Sequence, residues 1–470
     1  MSNKKTRILI YLLFSLVIFF IDKQFPFFWD NVVQISFPAN WYYDNNFSSI
    51  FLPDGMTTGH PTFVGMYIAL FWKLLGKKLW VSHLAVLPFT WGLFIQLDNF
   101  TDNIGIKNIK EKLLIIIFII LDTTMLAQMS LITFEIIQIF FFFLILNKIL
   151  SNRTKTISFI FYFTILMLIS LRSVIMGGGL IVFHIIYLIF IKKQKFSIKN
   201  LLIYLPGIIS FAVFLLLFEL NKGWIIHNPN TNAWSKSTYF ASVKGILKNI
   251  VIFVWRLLDF GRIGIYLFSL YIFIGYLRRK IKFNQSEKII LLIAFTQFLV
   301  FFPILIIFQN PIGHRYLMLI NISITIFVVD HIYNNYKRNK ILLSILLLIL
   351  VSGHFWLYPL KISQGWDSTT LHWNYFQLDD EIQKYIQKNH IDKSEIATFP
   401  INNTLRYYTH LADDKTEYKG ELFRSKYILF SNIFNPSDSS VDSLFNKNGN
   451  WKPMVKKEKN GIIVILFEQK

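Results

Sequence analysis

The sequence predicts an all-α polytopic membrane domain followed by a small α/β domain at the C-terminus, and three observations carry that prediction. Over half of the 470 residues are hydrophobic, at 54%, while only 16% are charged; soluble domains carry about 25% charged residues. The apolar residues are gathered into long runs, at 8–21, 113–121, 134–146, 157–171, 201–220, 289–308 and 341–351. With flanking Ser, Thr, Tyr and Trp, most of these reach the roughly 17–25 residues that a spanning helix needs. After residue 356 the apolar runs shorten and charge returns.

The formal net charge of +21 raises nucleic acid as a partner, but its placement points to membrane topology instead. Basic residues cluster at 4–7, 107–112, 148–155, 192–199, 278–288 and 337–340, in short loops between apolar runs. Placing each cluster in the cytoplasm gives one path. It has about eleven spanning helices, at 8–21, 79–97, 112–127, 133–149, 157–171, 176–191, 200–219, 263–277, 288–308, 315–333 and 340–356. The N-terminus is then cytoplasmic and the C-terminus extracytoplasmic. The first run follows basic residues as a signal peptide does, but no small-residue cleavage site follows, so it reads as an uncleaved helix. The absence of cysteine excludes disulfides and thiolate metal sites.

That path requires the apolar segment 61–76 to lie along the outer surface rather than cross, starting at Pro61 and ending at Gly76. The outer face then collects the loop 22–78, the loops near 128–134, 172–175, 220–262 and 309–314, and the tail. In the tail, 378–388 reads as an amphipathic helix, and 395–399, 427–430 and 461–467 read as strands. The domains are therefore 1–356 in the membrane and 357–470 outside it. No internal repeat supports an inverted-repeat transporter.

Ionisable groups near helix ends mark the candidate chemistry, because charge inside a membrane protein is costly. Asp30 follows Phe28 and Trp29 just beyond the first helix, Asp44 follows Tyr43, and His60 precedes Pro61. A partly shielded carboxylate there could act as a base; the plain alternative is an aromatic belt that carries acids. Glu135 opens the fourth helix, where the helix dipole alone favours an acid. Arg172 precedes Gly177-Gly178-Gly179, and Arg256, Asp259 and Arg262 surround Phe260-Gly261. Arg256 and Asp259 could simply pair on one helix face. Arg315 and Tyr316 follow Asn310-Pro311-Ile312-Gly313-His314; arginine suits a phosphate but also snorkels.

The order of these features resembles the GT-C membrane glycosyltransferases, particularly the family 39-like group of protein O-mannosyltransferases and the lipid A aminoarabinose transferase. Phe28-Trp29-Asp30 resembles the acid after the first helix. His60-Pro61-Thr62 through Leu75-Gly76 resembles the His-Pro-Pro block opening a juxtamembrane helix, with Thr62 replacing the second proline. Asp122-Thr123-Thr124-Met125 through Glu135 resembles the next acidic block, with Glu where Asp is usual. Arg172 and His314-Arg315-Tyr316-Leu317 resemble the group's later arginine blocks. The resemblance covers about the first 330 residues.

It implies a polyprenyl-phosphate-linked sugar donor, an acceptor hydroxyl on the outer face, and inversion. Asp30 would be the general base and Glu135 a second site acid. Arg315, Arg172 and Arg262 would bind donor phosphate, while His60, Asp44, Tyr316 and Asp259 would line the cavity. The acceptor could be lipid, glycan or protein, membrane lipid surrounds the bundle, and nucleic acid is not expected. No cofactor is expected; Asp30, Asp44 and Glu135 could bind Mg²⁺ in principle, which the group does not require. A bacterial inner membrane is the expected location. The rival expectations are an envelope polysaccharide polymerase or ligase, which would carry a large late outer loop, and a lipid-linked glycan transporter or flippase, which would place charge in mid-membrane.

Overall fold

A computed structural model describes residues 4–195, 197–226, 239–309, 311–336, 338–399, 405–418, 420–446 and 449–470. Residues 227–238 of the predicted 220–262 loop, and Asn310 of the Arg315 block, therefore lie outside the described residues. The chain begins with α1 (Lys4–Asp22) and two short segments, a π-turn at Val32–Ser36 and α2 (Phe37–Asp44). Then follow α3 (Phe63–Leu75), α4 (Leu79–Asn103), α5 (Ile109–Ile120), α6 (Thr123–Met129), α7 (Phe134–Leu150), α8 (Ile157–Ile169) and α9 (Leu171–Ile186). The second half of the bundle is α10 (Leu205–Lys222), α11 (Val243–Leu258), α12 (Ile263–Leu277), α13 (Gln285–Ile307), α14 (Met318–Asn335) and α15 (Lys340–Ser352).

By length and composition, five helices can cross a membrane: Leu79–Asn103, Leu171–Ile191, Ile198–Lys222, Gln285–Ile307 and His314–Asn335. Two bent pairs, α5 with α6 at 76° and α11 with α12 at 99°, raise the number to seven. This is a multi-pass membrane protein. The other four predicted crossings are α1, with Lys4, Lys5 and Arg7 in its first turn, α7 with Glu135 and Lys148, and the short α8 and α15. These four are shorter or more charged than the seven.

Several predicted boundaries move, each for a local reason. The 112–127 helix breaks because Asp122 caps a new helix, its carboxylate accepting from Met125 N–H at 3.0 Å. The 176–191 helix begins at Leu171, since Ser170 and Ser173 form a capping box. Arg172 thus sits in a first helical turn rather than in a loop. The outer loop 220–262 contains α11, capped by Ser242. The predicted 61–76 helix is α3, and it ends at Gly76, whose φ of 92° suits glycine.

The two ends of the bundle are distinct. At one end Arg7 pairs with Asp98 at 3.1 Å, and Lys112 with Asp102 at 2.6 Å. Glu111, Glu287, Asp330 and His331 gather there too, with Asn334 Nδ2 3.2 Å from Glu111 and Glu287 Oε1 2.5 Å from His331. From there α14 runs back along its 18 residues, about 27 Å at 1.5 Å per residue, to Arg315 at the other end. The basic clusters 4–7 and 107–112 thus share the end opposite Arg315.

The tail packs α16 (His372–Lys388) against a four-stranded sheet of order β1-β2-β4-β3, with α17 (Arg406–Thr409) and α18 (Asp438–Phe445) beside it. The strands are β1 (Ile396–Thr398), β2 (Tyr427–Ser431), β3 (Trp451–Lys459) and β4 (Ile462–Gln469). β1 and β2 run parallel; the other pairs are antiparallel. β1, β2 and β4 were predicted. β3 carries Lys452, Lys456, Lys457 and Lys459, which hide its pattern and suit an edge strand.

Candidate active site

The segment after α1 turns sharply at Trp29, an aromatic residue in left-handed conformation at φ 52°. Such backbone costs roughly 1–3 kcal/mol and persists only where the surroundings enforce it. Here the enforcement comes from the tail: Phe28 stacks on His372 at 5.1 Å and meets Phe376 edge-on at 5.6 Å. Phe27 N–H donates to Thr409 O at 2.8 Å, and Ser36 Oγ to Tyr408 O at 2.5 Å. The turn presents Asp30, whose side chain is 26% exposed.

Asp30 meets Arg315, which lies in the 3₁₀ turn His314–Leu317 ahead of α14 and is 6% exposed. Each nitrogen of its guanidinium faces a different carboxylate. Nη2 donates to Asp30 Oδ2; Nε lies 3.4 Å from Glu135 Oε1; and Nη1 lies 2.8 Å from Asp367 Oδ2. Glu135 sits in the first turn of α7, whose cap Thr133 also bonds its carboxylate. Arg172 donates to the same Glu135 from the first turn of α9. Its guanidinium lies between the rings of Phe134 at 4.8 Å and Tyr316 at 4.6 Å. Three acids and two arginines thus form one connected group at a helix-bundle end. Burial pushes the Asp367 carboxyl above its ordinary range against the pull of Arg315, and Asp30 and Glu135 push the same way.

His60 borders this group: its ring lies 6.3 Å from that of Phe134, and its Nδ1 is 3.4 Å from Leu171 N–H. Burial and Arg172 push it down to about 4, so it is neutral near pH 7. The other predicted residues have different partners. Arg262 is buried, with Nε and Nη2 on the two oxygens of Asp122 at 2.6 and 2.8 Å. Asp259 accepts from His314 Nε2 at 2.7 Å and from the Tyr358 hydroxyl, and lies 3.5 Å from Arg256. Those bonds pin the residue just before Arg315. Asp44 accepts from Tyr407 of the tail at 2.6 Å and lies 3.7 Å from Lys77 between α3 and α4, so its contacts are with these rather than with Asp30 and Glu135.

As a metal centre the cluster has its acid oxygens turned onto guanidinium nitrogens. Among the described residues, the one group of acids and histidines close enough to share an ion is Asp379, Asp380 and His410 in the tail. Arg406 already bonds both of those acids, at 2.7 and 2.8 Å, and so supplies the positive charge a cation would bring.

Asp367 was missed from the sequence, because a single acid in a polar tail has no periodicity to mark it. Its neighbour His372 gives a pH prediction. The His372 Nδ1–H faces the carbonyls of Trp366 at 3.1 Å and Thr369 at 2.6 Å, while the buried Nε2 has no partner among the described residues. Burial pushes His372 down to about 4, below the ordinary 6.5. The unfolded chain therefore binds the proton first, and stability falls as pH drops from 6.5 towards 4. His60, and His410 at about 3, act in the same direction. We expect the thermal midpoint to fall over this window, less steeply in His372→Asn than in the wild type.

No protein-family profile matches the chain, and no curated protein matches it in sequence. Among solved structures, it is similar in fold to ArnT from Cupriavidus metallidurans bound to undecaprenyl phosphate, at a TM-score of 0.52 and 10% identity over 75% of this chain. The match spans 65% of that ArnT chain. ArnT from the same organism in the apo state is also similar, at a TM-score of 0.48 and 12% identity. The fold is thus similar to that of ArnT.

Proposed function

We propose that this protein is a membrane glycosyltransferase that moves a hexose or pentose from a polyprenyl-phosphate donor to an acceptor hydroxyl on the extracytoplasmic face, with inversion. The observation that carries the proposal is the meeting of Asp30, Glu135, Arg172 and Arg315 at one end of an ArnT-like helix bundle. The undecaprenyl phosphate bound by that ArnT supports a lipid-linked donor here.

In this reading Asp30 accepts the acceptor hydroxyl proton as its oxygen bonds to the anomeric carbon. The bond from that carbon to the phosphate oxygen breaks, and its electron pair leaves with the polyprenyl phosphate. Arg315 and Arg172 offset the charge that develops there, where fixed donors are worth most. Glu135 holds both guanidiniums and faces the acceptor, while Tyr316 and His60 wall the cavity. Arg262 is held in a bidentate pair with Asp122, whereas Arg315 and Arg172 meet Asp30 and Glu135, so we assign the phosphate to Arg315 and Arg172. The C-terminal region lies outside a bacterial inner membrane, and the acceptor is a lipid, glycan or protein.

Arg172 tests the phosphate assignment, because it faces one acid whereas Arg315 faces three. We expect Arg172→Gln to raise the donor KM by about 10- to 100-fold, the loss of one or two charge-assisted hydrogen bonds, and to weaken polyprenyl phosphate binding equally. Unchanged binding of polyprenyl phosphate would remove Arg172 from the donor site.

A further inference from the structure

We propose that the C-terminal region is a working part of this active site, through Asp367 as the residue that positions Arg315. The inference rests on the glycosyltransferase reading and adds to it a group from a different part of the chain. Asp367 reaches Arg315 Nη1 at 2.8 Å from the 3₁₀ turn Trp366–Ser368, beyond the last bundle helix.

The position is built from both sides. Towards the bundle, the Asp367 carbonyl accepts from Gln128 Nε2 at 2.7 Å, and the Ser368 carbonyl accepts from Thr124 Oγ1 at 3.4 Å. Gln128 Oε1 in turn accepts from Thr133, the residue that caps Glu135's helix. Towards the sheet, Trp366 Nε1 donates to Asn435 Oδ1 at 3.0 Å, and Asn435 Nδ2 donates to Gln364 O at 3.0 Å. Ser368 Oγ donates to the second carboxylate oxygen at 3.1 Å.

A tie between two parts of a chain needs no third buried acid on a guanidinium that already faces two, and burying it costs free energy. What the third acid adds is orientation. With a carboxylate beside each of its three nitrogens, the guanidinium is held by charge from three sides. A phosphate that displaces one carboxylate then finds the plane still held by the other two. Asp367 competes with phosphate for Nη1, so its loss leaves donor binding intact while Arg315 loses its aim at the leaving oxygen. A misplacement of about 1 Å in such a group can cost 10²-fold in rate.

The test compares full-length wild type and Asp367→Asn, purified in lipid, with a polyprenyl-phosphate sugar donor the wild type consumes. We expect kcat per folded molecule about 10²-fold lower in the variant, with the donor KM no higher than in the wild type. A merely structural tie would lower the folded fraction and leave kcat per folded molecule unchanged, and that result overturns the inference alone. A KM that rises while kcat holds would also overturn it, because Asp367 would then act in binding. Should Asp367→Asn not fold, Asp367→Glu carries the test: about tenfold lower kcat at unchanged KM is expected, and wild-type kcat contradicts it. A wild type that consumes no donor defeats the glycosyltransferase reading itself, and this inference with it.

Discussion

Replacing Asp30 by Asn is expected to lower donor consumption by about 10²- to 10⁴-fold, the range a general base contributes, without lowering the amount of folded protein. Asn keeps the volume and one acceptor oxygen for Arg315, so the strained turn at Trp29 and the packing of Phe28 on His372 stay in place. What is lost is the group that takes the acceptor proton. Because the amide is also uncharged, Arg315 is freer to bind phosphate, and the donor KM is expected to stay level or fall. The measurement is initial-rate kinetics with the folded fraction counted by size-exclusion chromatography. Equal rates in both proteins would remove Asp30 from the chemistry.

Replacing Arg315 by Met is expected to damage the fold as well as the reaction. Among the described residues, its guanidinium is the one group in contact with Asp30, Glu135 and Asp367 together. Removing it leaves three shielded acids without that shared partner, and breaking a buried pair costs about 3–5 kcal/mol. Part of that cost is relieved if an acid takes up a proton, and Asp367, already pushed upward by burial, is the first to do so. The variant should therefore unfold at lower temperature than the wild type at pH 7.5, with the gap narrowing towards pH 5.5. Arg315→Lys should recover most of the stability and little of the activity, because a compact ammonium supplies the charge but not the guanidinium's fixed fork of donors for a phosphate. A wild-type melting temperature for Arg315→Met would show that the acids need no shared counter-charge.

The bundle was legible where apolar runs were long and uninterrupted: α12 matches its predicted range, and α4, α13 and α14 match within a few residues at most ends. The errors fall where a polar cap interrupts the run. Asp122 starts a helix, and Ser170 sets an earlier helix start, that the hydrophobic pattern alone did not show, although both capping residues were visible in the sequence. α11 was read as loop because Lys244, Lys248 and Asn249 break its apolar stripe. For the site, the resemblance picked out Asp30, Glu135, Arg172 and Arg315, and the fold connects them. Periodicity could not have done so, since they come from four separate helix ends. Nor could it separate Arg262, whose bidentate pair with Asp122 depends on a 99° bend invisible in sequence.

The most direct test of the central claim is release of polyprenyl phosphate from a labelled polyprenyl-phosphate sugar by the purified protein in liposomes, with a membrane extract as the acceptor source. Release matched one for one by sugar transferred to acceptor, and lost in Asp30→Asn, is the predicted result. No release by the wild type across a panel of hexose and pentose donors, or equal release by Asp30→Asn, would contradict it.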